Sequence, residues 1–283
     1  MKTQIKHRKK VRGSQVAIHI AIVILLFLVL YPIALLVIKS FKSINQDLLQ
    51  PFWPTWPLSF DNYRFAWINV RSLFLNTIVI ALVNTFGSLL VTSMLAYAFA
   101  RFRFPGKNVI FMIILSMMMM PGVLTLVPKF IMVNDMNLTN KLAGVYLVEI
   151  SASIPTGTLL LRTFFQGVPD GLFEAAEIDG CSHVRMYATI MIPLSASILC
   201  TLGIMNLLQS WNNLVWPQIV LSSEEKRTIA TGLVPFTNTY YSQYGTYGPP
   251  LAGYVLTSLP LIIAFLFASK QFVSGLTSGA FKM

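Results

Sequence analysis

Residues 174–193 read EAAEIDGCSHVRMYATIMIP, a segment that gathers three carboxylates, two adjacent alanines and a glycine between long apolar stretches. The cluster is unusual for this chain, because only 11% of its 283 residues are charged. The flanking apolar stretches decide the fold class, and the short acidic segment between them points to the function.

The composition is that of a membrane protein. Hydrophobic residues make up 55% of the chain and the mean hydropathy is +0.67, whereas soluble domains are about 45–50% apolar and about 25% charged. Apolar runs of about 18 or more residues can cross a bilayer as helices, and the ten-residue alternation of a membrane barrel is missing. We predict an all-α polytopic membrane protein, a single domain over residues 1–283, with six transmembrane helices at about 16–38, 73–100, 108–128, 142–162, 190–215 and 249–269.

The basic residues predict the orientation of these spans. The segment KHRKKVR at 6–12 precedes a long apolar run without a clear cleavage site, so we expect that run to remain as an anchor. With the N-terminus inside, the 21 Lys and Arg residues divide into 13 on the cytoplasmic side and 8 outside. Because basic residues accumulate in cytoplasmic loops, both termini are predicted to be cytoplasmic.

Two external segments follow from this orientation. Residues 51–67, PFWPTWPLSFDNYRFAW, are rich in aromatic residues and proline, which suits either an interfacial belt or a docking surface. Residues 216–248 carry SSEEKR and YYSQYGTYGPP, and this composition predicts an irregular exposed connection.

Sequence signatures of catalysis are missing. The chain has no G-x-x-x-x-G-K-[ST] phosphate loop, no H-E-x-x-H pair and no G-x-S-x-G elbow. Cys181 and Cys200 offer neither a disulfide framework nor metal-ligand spacing, and we expect reduced thiols. We therefore predict a protein that is not an enzyme and binds no metal or cofactor, so that any ATP used in its work is bound by another chain.

Glu149 is the clearest ionisable residue inside a predicted span, LAGVYLVEISASIP. A carboxylate is costly in lipid, so Glu149 must face protein or water. It could line a polar pathway, act as a structural hydrogen-bonding partner, or lie nearer the external interface. An alternative function follows from the first option: an ion-coupled secondary transporter that uses Glu149. A membrane-bound enzyme or scaffold is a further competitor.

The cytoplasmic loop at about 163–189 contains helix signals. Asp170 can cap the start of a short helix and Gly180 can end it in a left-handed conformation. Ala175 and Ala176 permit a close backbone approach, so the helix can enter a groove of another protein. Taken alone, such a helix is also typical of a solvated connection.

The spacing of this loop resembles a known signature. E-A-A, three residues, G, nine residues and I-x-I-P resemble the EAA motif of binding-protein-dependent ABC importer permeases, with Ile192 in place of the usual Leu. Other segments resemble the carbohydrate (maltose-type) branch, whose six-span inner-membrane subunits have the type I importer fold. These segments are NTIVIA at 76–81, RFRFPGK at 101–107, SWNNLVWPQIV at 210–220 and KQFVSGLTSGAFK at 270–282.

The resemblance implies a sugar importer in a bacterial cytoplasmic membrane. Its expected partners are a second, related permease, two ABC ATPase subunits that use ATP and Mg²⁺, an external solute-binding protein, the lipid bilayer and a carbohydrate substrate. The implied coupling residues are Glu174, Ala175, Ala176, Glu177, Asp179 and Gly180. Sugars are neutral and rich in hydroxyls, so amides and aromatic faces suit their pathway. We expect such groups in the fifth span, where they could equally only pack helices. Together with Glu149 the pathway candidates are Asn206, Gln209, Trp211 and Asn212.

Overall fold

The computed structural model describes residues 13–280, with side chains for 15–267 and 269. The basic cluster at 1–12 and residues 281–283 therefore lie outside the described residues. Within residues 13–280 the chain forms helices and connections without a β-strand. The helices are α1 Gly13–Ser40, α2 Ile44–Leu49, α3 Asp61–Arg101, α4 Lys107–Ser116, α5 Leu126–Asp135, α6 Leu142–Gln166, α7 Gly171–Ile178, α8 His183–Met186, α9 Ile192–Leu194, α10 Ala196–Asn212, α11 Val215–Val220, α12 Ile229–Tyr244 and α13 Gly248–Ala280, with short 3₁₀ turns at Met117–Met119, Gly122–Thr125 and Glu224–Lys226 and a π turn at Tyr187–Met191.

Four of these helices are long and apolar enough to cross a membrane: α1, α3, α6 and α13. Two bent pairs, 107–135 and 183–212, bring the number to six if each pair counts as one span. The predicted all-α membrane architecture is confirmed.

Two predicted spans are broken rather than straight. The segments before and after residues 120–121 meet at 101°, and those on either side of Ser195 meet at 79°. Each break lies beside a proline, Pro121 or Pro193, which removes a backbone donor and clashes with the preceding turn. The predicted spans 108–128 and 190–215 are corrected accordingly, and the second bent pair begins at His183.

α3 is the central helix, because α6, α10, α12 and α13 all pack against it. Small residues bring α3 and α6 close together, and a side chain at Gly157 would overlap Thr92. α3 begins at Asp61 rather than at the predicted residue 73, so the end of the aromatic segment 51–67 belongs to this helix. Trp53 and Trp56 remain exposed in the part that precedes it.

The external segment 216–248 differs from its prediction as an irregular connection. Most of it is helical, because Thr228 and Thr231 form a capping box that starts α12. α12 buries Ile229 and Leu233, and the backbone N–H of Ile229 donates to the Thr77 hydroxyl of α3 at 2.9 Å. The sequence signal for the start of α12 was this pair, two short polar residues at helix-capping spacing.

α1 lies outside this packed core. It contacts α13, but every side chain from 15 to 34 is exposed. An apolar helix of this length with no buried face is stable in lipid or against another chain.

The approach of Gly144 to its neighbours gives a first prediction. A Cβ at this position would overlap the backbone carbonyl of Leu138 and lie 3.0 Å from Val133 Cγ1. Because a backbone carbonyl cannot move aside cheaply, we expect Gly144→Ala to lower the free energy of unfolding by about 1–3 kcal/mol. Thermal unfolding of the purified protein in detergent measures this loss.

Gly171→Ala is the matched control, since a Cβ at Gly171 meets nothing within 4 Å. We expect it to leave stability unchanged or slightly raised. Equal losses in the two variants would contradict the assigned close contact.

Candidate functional site

The segment between α6 and the second bent pair forms the candidate coupling site. α7 ends as predicted, because Gly180 adopts a left-handed conformation with φ of +75°. The N–H of Cys181 then donates to the carbonyl of Ala176 at 2.9 Å, satisfying a group at the helix end. Ser182 caps the next short helix, α8. The chain therefore presents a short helix on each side of Gly180, α7 before it and α8 after it.

The predicted role of Asp170 as a side-chain cap is wrong. Asp170 has helical backbone angles, φ −63° and ψ −34°, and its side chain makes no capping hydrogen bond. A capping residue needs a more extended backbone to direct its oxygen at the first amides. The carboxylate instead forms an ion pair with Arg101 at the end of α3.

The two alanines of the motif face opposite ways. Ala176 is only 8% exposed and packs with Phe173 into a core cluster that includes Tyr97 and Met186. Ala175 is exposed. The sequence pattern placed both alanines on an outward surface, and the structure corrects this for Ala176, because the apolar side of α7 seats against the chain's own helices.

The outward face of α7 is also partly apolar. Leu172, Ala175 and Ile178 are exposed at a spacing of three residues, which places them along one side of the helix. Ile178 is 87% exposed. The carboxylates Glu174, Glu177 and Asp179 are exposed around it. This arrangement is an apolar ridge with an acidic border, which suits a protein groove with a polar rim.

A buried polar network joins three membrane helices around Glu149, which is 5% exposed. Ser210 on α10 donates to one carboxylate oxygen, and Asn213 donates to the other at 2.7 Å. Asn84 on α3 donates to the Ser210 hydroxyl at 2.7 Å, and Ser88 donates to Asn84 at 2.9 Å. Glu149 therefore accepts hydrogen bonds from the end of α10 and is linked through it to α3.

The four α10 candidates for a substrate pathway separate into two groups. Trp211 is buried and meets Phe74 edge-on, with ring centroids 6.3 Å apart. Gln209 and Asn212 are exposed on another face, where the Asn212 amide donates to the carbonyl of Leu208 at 2.8 Å. Asn206 is half-buried. The structure does not bring these four residues together with Glu149, and their role in transport stays a prediction.

Comparison with known proteins decides the family. Residues 88–278 match the model of a family described as "Binding-protein-dependent transport system inner membrane component". The chain belongs to this family. As a member of it, the protein is a transport permease subunit.

Individual relatives of this permease agree with that assignment. It is 33% identical to the arabinooligosaccharides transport system permease protein AraQ of Bacillus subtilis (strain 168), over 98% of this chain and 99% of the relative. It is 26% identical to the diacetylchitobiose uptake system permease protein NgcG of Streptomyces coelicolor (strain ATCC BAA-471 / A3(2) / M145), over 93% of this chain and 88% of the relative.

A solved structure supports the fold of the permease. A chain of a bacterial ABC transporter involved in the import of the acidic polysaccharide alginate superposes with a TM-score of 0.78. The match covers 93% of the permease and 99% of the solved chain at 21% identity. The predicted ABC importer transmembrane fold is confirmed.

Sequence reasoning missed the polar network around Glu149. Asn84, Ser88 and Thr92 are buried along α3 and follow one another at intervals of four residues. Such spacing places polar side chains on one face of an apolar helix, which is a readable signal of an inward polar stripe. Ser210 and Asn213 carry no comparable signal, because only the folded chain brings them to Glu149.

Among the residues that the structure describes, no group of three or more His, Cys, Asp or Glu side chains is placed to hold a metal ion.

Proposed function

We propose that this permease imports a carbohydrate across a bacterial cytoplasmic membrane and that α7 is its coupling helix. In this proposal α7 seats in a cleft of a cytoplasmic ABC ATPase, and both termini of the permease are cytoplasmic. The observation that carries the proposal is the exposed apolar ridge Leu172, Ala175 and Ile178 with its acidic border. An exposed apolar ridge rimmed by polar residues is typical of an interaction site.

The proposed assembly has four further protein subunits, each with its own task. A second, related permease completes the pathway, two ATPase subunits bind ATP and Mg²⁺, and an external solute-binding protein delivers the substrate. The permease binds no nucleotide. ATP changes the affinity of the ATPases for one conformation of the permease, and only such differential affinity can shift a two-state equilibrium.

A carbohydrate substrate is supported by the names of the relatives and by chemistry. The two curated relatives are named for arabinooligosaccharides and diacetylchitobiose. Gln209 and Asn212 present amide groups on the exposed face of α10, and amides pair with hydroxyls as both donors and acceptors. We assign these two residues, with the half-buried Asn206, to the substrate pathway.

Glu149 and Trp211 take a supporting role in this proposal. The hydrogen bonds of Glu149 to Ser210 and Asn213 use both of its carboxylate oxygens. The buried ring of Trp211 lies among Val70, Leu73 and Leu233. Both residues position the fifth span beside the pathway.

The experiment is purification of the intact complex through a tag on this permease, followed by reconstitution into liposomes. We expect ATP hydrolysis to rise when the solute-binding protein is added with one member of a panel of arabinan-derived, chitin-derived and maltose-type oligosaccharides. The same sugar should accumulate in the vesicles only with ATP. Uptake driven by an ion gradient without ATP or partner subunits would instead support the secondary transporter.

A further inference from the structure

Arg101, the last residue of α3, holds the loop that carries the coupling helix. Its guanidinium donates to the backbone carbonyls of Phe165 at 3.0 Å and Val168 at 2.8 Å, and it pairs with the Asp170 carboxylate. The Arg101 carbon Cζ also lies 4.0 Å from the ring centre of Phe173. One side chain therefore contacts the end of α6, the connection that follows it and α7 itself.

Residues of α3 near Arg101, and Phe102 directly after it, hold the other side of the loop. The ring of Phe102 meets the ring of His183 edge-on at 4.8 Å, and Tyr97 meets Tyr187 at 5.4 Å. The hydroxyls of Ser93 and Tyr187 lie 2.7 Å apart. The final turns of α3 thus bind residues that precede α7 and residues that follow it.

The contacts of Arg101 with the carbonyls of Phe165 and Val168, with Asp170 and with Phe173 are called the clamp below. The strength of each contact depends on how buried its partners are. The Arg101 side chain is 11% exposed, whereas the side chain of Asp170 is 82% exposed. An ion pair with one partner in water contributes little. Hydrogen bonds from a charged guanidinium to backbone carbonyls contribute more. The carbonyls of Phe165, at the end of α6, and of Val168, just beyond it, are therefore the principal partners of Arg101.

We propose that Arg101 is a positioning residue for coupling: it makes α7 and the cytoplasmic end of α3 move as one body. α3 packs against α6, α10, α12 and α13, so a displacement of α7 that carries α3 with it reaches most of the bundle. Without the clamp, α7 can follow the ATPases while α3 stays in place. This inference rests on the proposed coupling function of α7.

The test compares Arg101→Ala with wild type in the reconstituted complex, with every rate divided by the amount of assembled transporter. We expect the ATPases to co-purify with the variant as before. We expect the stimulation of ATP hydrolysis by the sugar-loaded binding protein to fall about tenfold, which is within the range of typical couplings between sites. Sugar uptake should fall with it. Basal hydrolysis should stay within about twofold, because the ATPase active sites are untouched.

Three further variants make the result decisive. Arg103→Ala is the matched control, since Arg103 is exposed and has no ion-pair partner within the described chain; it should behave as wild type. Asp170→Asn should reduce stimulation far less than Arg101→Ala. Arg101→Lys should give an intermediate loss, because an ammonium cannot form the same planar contacts.

The outcomes separate the inference from the proposed function. Wild-type stimulation in Arg101→Ala, or an equal loss in Asp170→Asn, would overturn the clamp. If Arg101→Ala fails to assemble, Arg101→Lys decides, and unchanged stimulation in that variant overturns the inference. A wild-type complex that shows no stimulation by any sugar-loaded binding protein would instead count against the proposed function.

Discussion

Ile178→Asp is expected to weaken the binding of ATPase subunits to the permease by about 100-fold, which corresponds to about 2.7 kcal/mol. Ile178 is 87% exposed and is the most exposed large apolar side chain on α7. Fully burying an isoleucine in a partner's groove contributes about 1.5–3 kcal/mol. A carboxylate at the same place loses this contribution and must also be desolvated. Titration of purified ATPase subunits onto the permease pair in nanodiscs measures the change.

Unlike docking, folding of the permease should not be affected by this substitution. Ile178 is too exposed to contribute to the permease core, so the melting temperature of the isolated permease should not change. An Ile178→Asp variant that binds ATPase with wild-type affinity would remove α7 from the docking surface. A loss of docking accompanied by a loss of thermal stability would assign Ile178 to the fold instead.

Ala176→Leu is the informative counterpart. The sequence pattern indicates that Ala176 lies on the surface that enters a partner's groove, where added bulk would obstruct docking directly. Because Ala176 is buried against Phe173 and Met186, the leucine must instead displace core side chains, at a cost of about 1–3 kcal/mol. We expect lower thermal stability of the isolated permease, with docking reduced only through the distorted position of α7.

Glu149→Ala is expected to lower the free energy of unfolding of the permease by about 1–3 kcal/mol. The change removes the acceptor for Ser210 and Asn213, and it leaves the buried Ser210 hydroxyl and the half-buried Asn213 amide without that partner. Single hydrogen bonds between membrane helices contribute on average about 0.6 kcal/mol and at most about 1.7 kcal/mol. Two lost bonds and a cavity therefore place the expected effect in the upper part of the range. Chemical unfolding in mixed micelles measures it.

Two comparisons identify the source of the Glu149 effect. Glu174→Ala removes an exposed carboxylate from α7 and should leave the free energy of unfolding unchanged. A double-mutant cycle between Glu149→Ala and Asn213→Ala should show a coupling energy of about 0.5 kcal/mol or more, because the residues share a hydrogen bond. Additive effects would mean that the two side chains do not stabilise one another.

The bend at Pro121 and the helix α12 differ from the sequence predictions for a related reason. Pro121 could be read from the sequence, but a proline inside α6 or α13 leaves those helices continuous. Neighbouring helices can supply partners for the freed carbonyl in one place and not in another. The sharp bend at Pro121 is therefore a property of its surroundings. Surroundings matter for α12 as well, because its Ile229 and Leu233 are buried in a cluster with Val70 and Leu73 of α3.

Local chemistry was enough to determine several features of this protein. Long apolar runs dictate membrane helices, because a backbone in lipid must satisfy its own hydrogen bonds. Gly180 ends α7 in a left-handed turn, because glycine adopts that conformation without the steric cost that a Cβ brings. Both facts depend on a few neighbouring residues, and both could be read directly.

Only the tertiary structure decided which side of each helix is buried. It buried Ala176 and left Ile178 exposed. It also formed contacts between segments far apart in the chain: the hydrogen bonds of Ser210 and Asn213 to Glu149, and that of Arg101 to the carbonyl of Phe165. In membrane helices nearly every side is apolar, so hydrophobic periodicity does not distinguish the face that meets protein from the face that meets lipid. Contact between helices makes that distinction, and it exists only once they have packed.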